Sequence, residues 1–218
     1  MWNETKTAAS VVDRAVGRQT GVWQESPLVG VDALLKKHQA TASTAFRLSE
    51  RPFLELVNVR GDTRDAAFVQ AVKNVLGCPP PEKANTIARG NGYEMLWLGP
   101  DEWLVRSAVA HDATRTAPLQ AKLGAAFAGV FASAVDIGSG YTVLEITGAR
   151  TREVLSRGCP LDLHPKLFGE GQCAQSHYFK ASMTLVPTGA DSFDIIVRRS
   201  FADYFVKIML DAAEPLMS

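Results

Sequence analysis

Leu56-Val57-Asn58-Val59-Arg60-Gly61 and Val143-Leu144-Glu145-Ile146-Thr147-Gly148 are two versions of one phrase. Each is a strand of β-friendly residues that stops at a glycine. A second phrase also recurs: Gly99-Pro100-Asp101-Glu102-Trp103-Leu104-Val105 and Gly189-Ala190-Asp191-Ser192-Phe193-Asp194-Ile195. In both, Gly-x-Asp turns the chain and an aromatic residue begins the next strand. Gly61 and Gly148 lie 87 residues apart, and Gly99 and Gly189 lie 90 apart. Two separate markers agreeing within three residues point to a duplicated β-α-β-β-β-α unit. Such turns also recur in unrelated α+β chains.

Reading outward fills in each unit. In the first, a strand over Phe53 to Val59 ends at Gly61, and Asp62-Thr63-Arg64-Asp65 caps a helix. That helix carries Phe68, Val69, Val72, Val75 and Leu76 on one face, then stops at Gly77 before Pro79-Pro80-Pro81. Gly90-Asn91-Gly92 predicts a hairpin between strands Asn85 to Arg89 and Tyr93 to Leu98. A strand over Glu102 to Arg106 and a helix over Thr116 to Phe127 complete the unit. The second begins near Ser133. It has a strand over Tyr141 to Thr147 and a short helix over Thr151 to Ser156. Strands follow at Cys173 to Phe179, Met183 to Pro187 and Phe193 to Arg198. Ser200-Phe201-Ala202-Asp203 has capping-box form and predicts a last helix bearing Phe201, Tyr204, Phe205, Ile208, Met209 and Ala212.

Neither half can bury both faces of its sheet alone. The expectation is one compact α+β domain over 26-218 with two mixed or mostly antiparallel sheets, made of halves at about 44-130 and 131-218. A short helical segment through Val31 to Leu35 precedes the first strand. Residues 1-25 show no clean period and read either as a mobile terminus or as an arm ordered by a partner. Trp2 and Trp23 favour the arm, because exposed tryptophans are useful at interfaces.

The chain of 218 residues carries 23 Lys+Arg and 23 Asp+Glu, so its formal net charge is zero. That balance offers no footprint for nucleic acid or an anionic membrane. Cysteine occurs three times, at 78, 159 and 173, which is not a secreted disulfide framework. Charged residues from Glu4 to Arg14 interrupt any signal-like apolar core. The longest weakly polar run, Gly124 to Val135, is 12 residues, short of the ~20 a spanning helix needs. These features predict a cytoplasmic protein.

Reactive constellations are sparse. Cys159, His164, Cys173 and His177 have zinc-ligand chemistry but lack a Cys-x-x-Cys pair, so packing roles are expected and no metal is assigned. Gly138-Ser139-Gly140 is not a nucleophile elbow, because Ile137 and Tyr141 hold the flanking glycine places. No dinucleotide or phosphate loop occurs. Asp101 and Glu102 read as turn residues. Asp136 either orients a ligand or satisfies turn amides. His38 and His111 are expected to be exposed. Arg198-Arg199 reads as solvated or as a partner contact. Trp23, Trp97 and Trp103 are candidates for an exposed apolar face, with core packing as the alternative for the last two. No catalytic residue is assigned.

Several stretches resemble the gamma-subunit family of heterotetrameric sarcosine oxidases. They are Leu96 to Val105, Val135 to Leu144, Gly158-Cys159-Pro160-Leu161-Asp162-Leu163-His164-Pro165, Cys173-Ala174-Gln175 and Arg199-Ser200-Phe201-Ala202. The resemblance spans roughly residues 26 to 213, and the Gly158 to Pro165 run is its most specific part. It implies the folate-binding aminomethyltransferase fold. It also implies a complex with alpha, beta and delta subunits that converts sarcosine to glycine with hydrogen peroxide and passes the one-carbon unit to tetrahydrofolate. FAD, FMN, NAD, zinc and tetrahydrofolate would belong to the other subunits, with no cofactor on this chain. Aminomethyltransferases tend to carry a Gly-Gly-Ile-x-Asp-Asp strand after a segment like Asp162 to Gly171. The stretch here, Tyr178 to Thr184, has no carboxylate, so the resemblance implies a non-catalytic subunit. The alternatives are a folate-binding or aminomethyltransferase-like protein acting alone, or a subunit of a related N-methyl amine oxidase complex.

Overall fold

The computed structural model describes residues 25–40, 44–110 and 117–217. Trp2, Trp23, His111 and all but the last residue of the expected arm lie outside them.

Two five-stranded sheets form the centre, and every strand pair is antiparallel. The chain runs through helix α1 (Asp32–Ala40), strands β1 (Arg47–Arg51) and β2 (Leu54–Arg60), and helix α2 (Ala66–Leu76). Strands β3 (Ile87–Gly90), β4 (Tyr93–Gly99) and β5 (Glu102–Ala110) follow, then α3 (Leu119–Ala126). The second half has β6 (Ser133–Asp136), β7 (Tyr141–Thr147), α4 (Thr151–Ser156), β8 (Ala174–Tyr178), β9 (Ala181–Gly189), β10 (Ser192–Arg198) and α5 (Ala202–Ala213).

One sheet has the order β6-β2-β5-β4-β3 and the other β1-β7-β10-β9-β8. The orders match strand for strand, which is the duplication expressed as topology. The first strand of each half crosses over: β1 joins the second half's sheet, and β6 joins the first half's. This exchange was not foreseen. Arg47-Leu48-Ser49-Glu50-Arg51 is too polar to announce a strand, and β6 spans only four residues. Phe53, expected to begin a strand, instead sits in the β1–β2 turn at φ 60°.

The strands alternate between two apolar faces. Trp103 and Val105 of β5 meet Phe68, Val72 and Leu76 of α2 and Leu119 and Leu123 of α3. Phe193, Ile195 and Val197 of β10 meet Val154 and Leu155 of α4 and Phe205, Val206 and Met209 of α5. The opposite faces close on each other through Leu54, Leu56, Leu96, Leu104, Val143, Val186 and Ile196. The result is four layers: helices, sheet, sheet, helices.

The two repeated phrases bond to each other. Gly61 donates its N–H to Asp101 O at 3.2 Å, and Gly148 donates to Asp191 O at 3.0 Å. A β-carbon on Gly61 would fall 2.4 Å from the Phe68 ring. Gly148 has φ 124°, and a β-carbon there would lie 2.5 Å from Ala45 O. Both places need glycine.

Local signals differ in how they hold. Asp65 caps α2 by accepting from Ala67 N, and Gly77 ends the helix at φ 74°. Asn91 and Gly92, at φ 47° and 78°, form the two-residue hairpin loop. The capping box at Ser200 does not form: Arg199–Phe201 is a 3-10 turn, and Phe201 precedes α5 without a side-chain cap. Of the predicted Thr116 to Phe127 helix, Leu119–Ala126 is helical and Thr116 lies outside the described residues.

The crossing strands have equivalent outer edges. Leu48 N of β1 donates to His38 Nε2 of α1 at 3.0 Å. At the matching position of β6, Ala134 O accepts from Gln120 Nε2 of α3 at 3.3 Å. His38, expected exposed, is therefore half-buried, because its ring closes a strand edge. Burial, helped by the Arg47 charge, holds its pKa below the ordinary 6.5.

Two expectations follow. Trp103 is fully buried, with its indole N–H donating to Pro81 O at 2.9 Å. Trp103→Ala should cost about 3–5 kcal/mol in urea unfolding. Below pH 6.5 the unfolded chain binds the His38 proton more readily than the folded chain. Stability supplied by neutral His38 is thus present above that pH and is lost as pH falls through the lower folded value. His38→Gln keeps an acceptor that does not titrate. Thermal unfolding from pH 7.5 to 5 should show a smaller acid loss for His38→Gln than for the natural chain.

Candidate functional site

The four zinc-type residues do not converge. Cys173 is buried, with Sγ 3.6 Å from both Thr86 O and Trp97 O in the other half. The Cys159 thiol is also buried, 3.7 Å from Ser176 Oγ. Both histidines are exposed, against the packing roles expected of them. His164 Nδ1 accepts from Lys166 N in a local turn. His177 sits at an exposed position of β8, between half-buried Ser176 and buried Tyr178. Among the described residues, no three His, Cys, Asp or Glu side chains gather to hold a metal.

The remaining singled-out residues find structural partners. Asp136 Oδ1 accepts from Gly138 N at 2.8 Å, which is the turn-amide reading. Glu102 accepts from Asn58 Nδ2 at 2.8 Å and Arg60 Nη2 at 2.7 Å. Arg198 lies over the Tyr141 ring at 5.7 Å. Arg199 donates to Glu25 O at 3.1 Å, at the rim of a cavity of about 670 Å³ lined also by Ser26, Gly140 and Ser200. Tyr178 to Thr184 spans the β8–β9 hairpin, whose Phe179 has φ 48°.

One polar cluster was not singled out in advance. It lies between the sheets. Asp194 of β10 is fully buried, and its Oδ2 accepts from Arg106 Nη1 at 2.7 Å and Arg51 Nη1 at 2.5 Å. Arg106 of β5, also buried, donates its Nε to Glu94 Oε2 at 2.6 Å. Arg89 reaches the other Glu94 oxygen at 2.6 Å, and Arg51 Nη2 donates to Ala108 O at 2.5 Å. Burial pushes the Glu94 carboxyl up, but the Arg106 charge and the Arg89 and Arg106 hydrogen bonds outweigh it and lower its pKa. Asp194 Oδ1 is buried with no hydrogen-bond partner among the described residues. Three arginines, Arg51, Arg89 and Arg106, share two carboxylates here. The cluster is built as a clamp between sheets, with its acids engaged by arginines.

For Trp97 and Trp103 the core-packing alternative holds. Trp103 is buried, Trp97 packs against the α2–α3 core, and Trp23 is outside the described residues. Instead Phe131 is 99% exposed and Val135 of β6 is 52% exposed. By strand register, the counterpart of Val135 in the first half is Ser49, so the fold does not demand an apolar group at that place.

Comparison with known proteins matches the sarcosine oxidase gamma subunit family model over residues 60–214. The chain belongs to that family. Curated relatives carry the same description. The sarcosine oxidase subunit gamma of Corynebacterium sp. (strain P-1) is 32% identical over 84% of this chain and 89% of its own length. That of an Arthrobacter species is 31% identical over 80% and 83%. Among solved structures, a chain of the heterotetrameric sarcosine oxidase from Corynebacterium sp. U-96 aligns with TM-score 0.79 at 24% identity. The alignment covers 89% of this chain and 97% of that one. The glycine cleavage system aminomethyltransferase T from Bartonella henselae aligns with TM-score 0.60 at 16% identity, over 90% of this chain and 53% of that one. The folate-binding aminomethyltransferase fold expected from the sequence is the fold found.

The thiols give this region a direct check. Burial pushes the Cys173 thiol up to about 11 and raises Cys78 as well. Thiolates, not thiols, react with disulfide reagents. Native chain at pH 8 should therefore leave Cys78 and Cys173 unlabelled by Ellman's reagent over minutes, whereas urea-unfolded chain should release all three thiols at once.

Proposed function

We propose that this chain is the non-catalytic gamma subunit of a heterotetrameric sarcosine oxidase working in the cytoplasm. In that complex, sarcosine is oxidatively demethylated to glycine with formation of hydrogen peroxide, and the one-carbon unit passes to tetrahydrofolate. The alpha, beta and delta subunits would be the partners and would hold FAD, FMN, NAD, zinc and tetrahydrofolate. Family membership supplies the complex. The observation that carries the docking role is the exposure of Phe131, just before β6, and of Val135, whose register counterpart is the polar Ser49. A fully solvated phenylalanine gains nothing in the free chain, and aromatic groups of this kind concentrate at protein interfaces. The non-catalytic reading rests on the buried thiols and on the arginine-engaged acids between the sheets.

A tagged chain co-expressed with the genes adjacent to its own should retrieve a yellow flavoprotein that oxidises sarcosine. Repeated recovery of a colourless lone chain at low salt overturns the proposal. Tetrahydrofolate binding by that lone chain, read by fluorescence quenching, would favour the stand-alone folate protein. Phe131→Ser with Val135→Ser should lower the yield of complex by about tenfold while moving the unfolding midpoint of the chain little, as surface changes do.

A further inference from the structure

The polar clamp occupies one end of a layer whose two ends are related by the internal repeat. Register fixes the correspondence. Phe193 faces Ile146 across β10 and β7 as Trp103 faces Val59 across β5 and β2. Counting on, Asp194 corresponds to Leu104, and Ile196 corresponds to Arg106. Glu94, opposite Arg106, corresponds to Thr184, opposite Ile196. Arg51, opposite Val143, corresponds to Ile137, whose N–H goes to Leu56 O. Each charged member of the clamp thus has an uncharged mate. Leu104 and Ile196 are buried in the apolar cluster between the sheets, and Ile137 packs against it.

We infer that the Arg106–Asp194 pair is a pairing code, which makes each half accept the other half and reject a copy of itself. The natural arrangement places Arg106 on Asp194 at one end of the layer and apolar Leu104 and Ile196 at the other. Two first halves packed the same way would set Arg106 against Leu104 twice. Two second halves would set Asp194 against Ile196 twice. Two second halves would bury Asp194 twice with no arginine, and two first halves would leave each Arg106 with Glu94 of its own half but no carboxylate from the facing sheet, so both arrangements are unfavourable. The need is concrete, because β1 and β6 already cross between halves and the same crossing can run between two chains. Asp194 Oδ1 has no hydrogen-bond partner among the described residues, so the pair is not the arrangement that stability alone would favour. This inference holds whatever complex the chain joins.

The test uses the full chain. Arg106→Ile with Asp194→Leu gives each position the residue of its mate and makes both ends apolar. Glu94 keeps Arg89, and Arg51 keeps Ala108 O. Natural and variant chains are refolded from urea at matched concentrations and sized by chromatography with light scattering. The variant should retain the natural circular dichroism spectrum, and its dimer fraction should rise at least about tenfold. An exchange between unlike halves keeps the ion pair, so the natural chain reports that background. A folded variant with the natural dimer fraction overturns the inference. Should the variant not fold, Arg106→Gln with Asp194→Asn is read in the same way. Failure of both to fold also overturns it, because the pair would then serve stability and not choice.

Discussion

Everything in this molecule depends on the apolar layer between its two sheets. Each sheet already carries helices on one face. Its other face, with Leu54, Leu56 and Leu104 on one side and Val143, Val186 and Ile196 on the other, has no cover except the opposite sheet. Neither half is therefore a finished domain. The exchange of β1 and β6 makes the dependence covalent as well as hydrophobic. Each sheet borrows its edge strand from the other half, so separating the sheets would break hydrogen bonds as well as expose the layer.

A layer made by duplication would be symmetric, and this one is not. One end is apolar and the other carries Arg51, Glu94, Arg106 and Asp194. Burying Arg106 and Asp194, with Arg51 and Glu94 only partly covered beside them, is a poor way to gain stability, since desolvation offsets most of the Coulomb attraction. It is a good way to exclude alternatives, because a charge without its partner is far worse than an apolar contact. The asymmetry therefore belongs to the choice of partner half, while the helix-covered cores supply most of the apolar burial.

Much of the repeat was legible because its two phrases are physically joined. Gly61 bonds to Asp101 and Gly148 to Asp191, so the glycine and the turn had to recur together at similar spacing. Hairpin Asn91-Gly92 and cap Asp65 were legible for local reasons. The crossing strands were not. β1 is mostly polar because its buried contacts are few, with Leu48 as its fully buried residue. The capping box failed because Arg199–Phe201 forms a 3-10 turn that leads straight into α5 and leaves Phe201, not Ser200, at its N-cap. His38 was misread because its role is to receive an amide from a strand edge that the sequence did not reveal. The clamp lay beyond reach for a different reason: Arg106 and Asp194 are 88 residues apart, and only the folded register brings them together.

The same features bear on the reactivity of the groups that the two sheets enclose. The three thiols are buried, and the two acids between the sheets, Glu94 and Asp194, are engaged by arginine. Burial that raises a thiol removes the thiolate that would attack. Arginine that holds Glu94 ionised also occupies the lone pairs a base would use. Each device that makes the sheets cohere thus subtracts from reactivity. Beside these engaged groups the fold leaves apolar surface uncovered at Phe131 and at Val135, whose register counterpart is Ser49. Surface of that kind gains free energy only when another chain covers it.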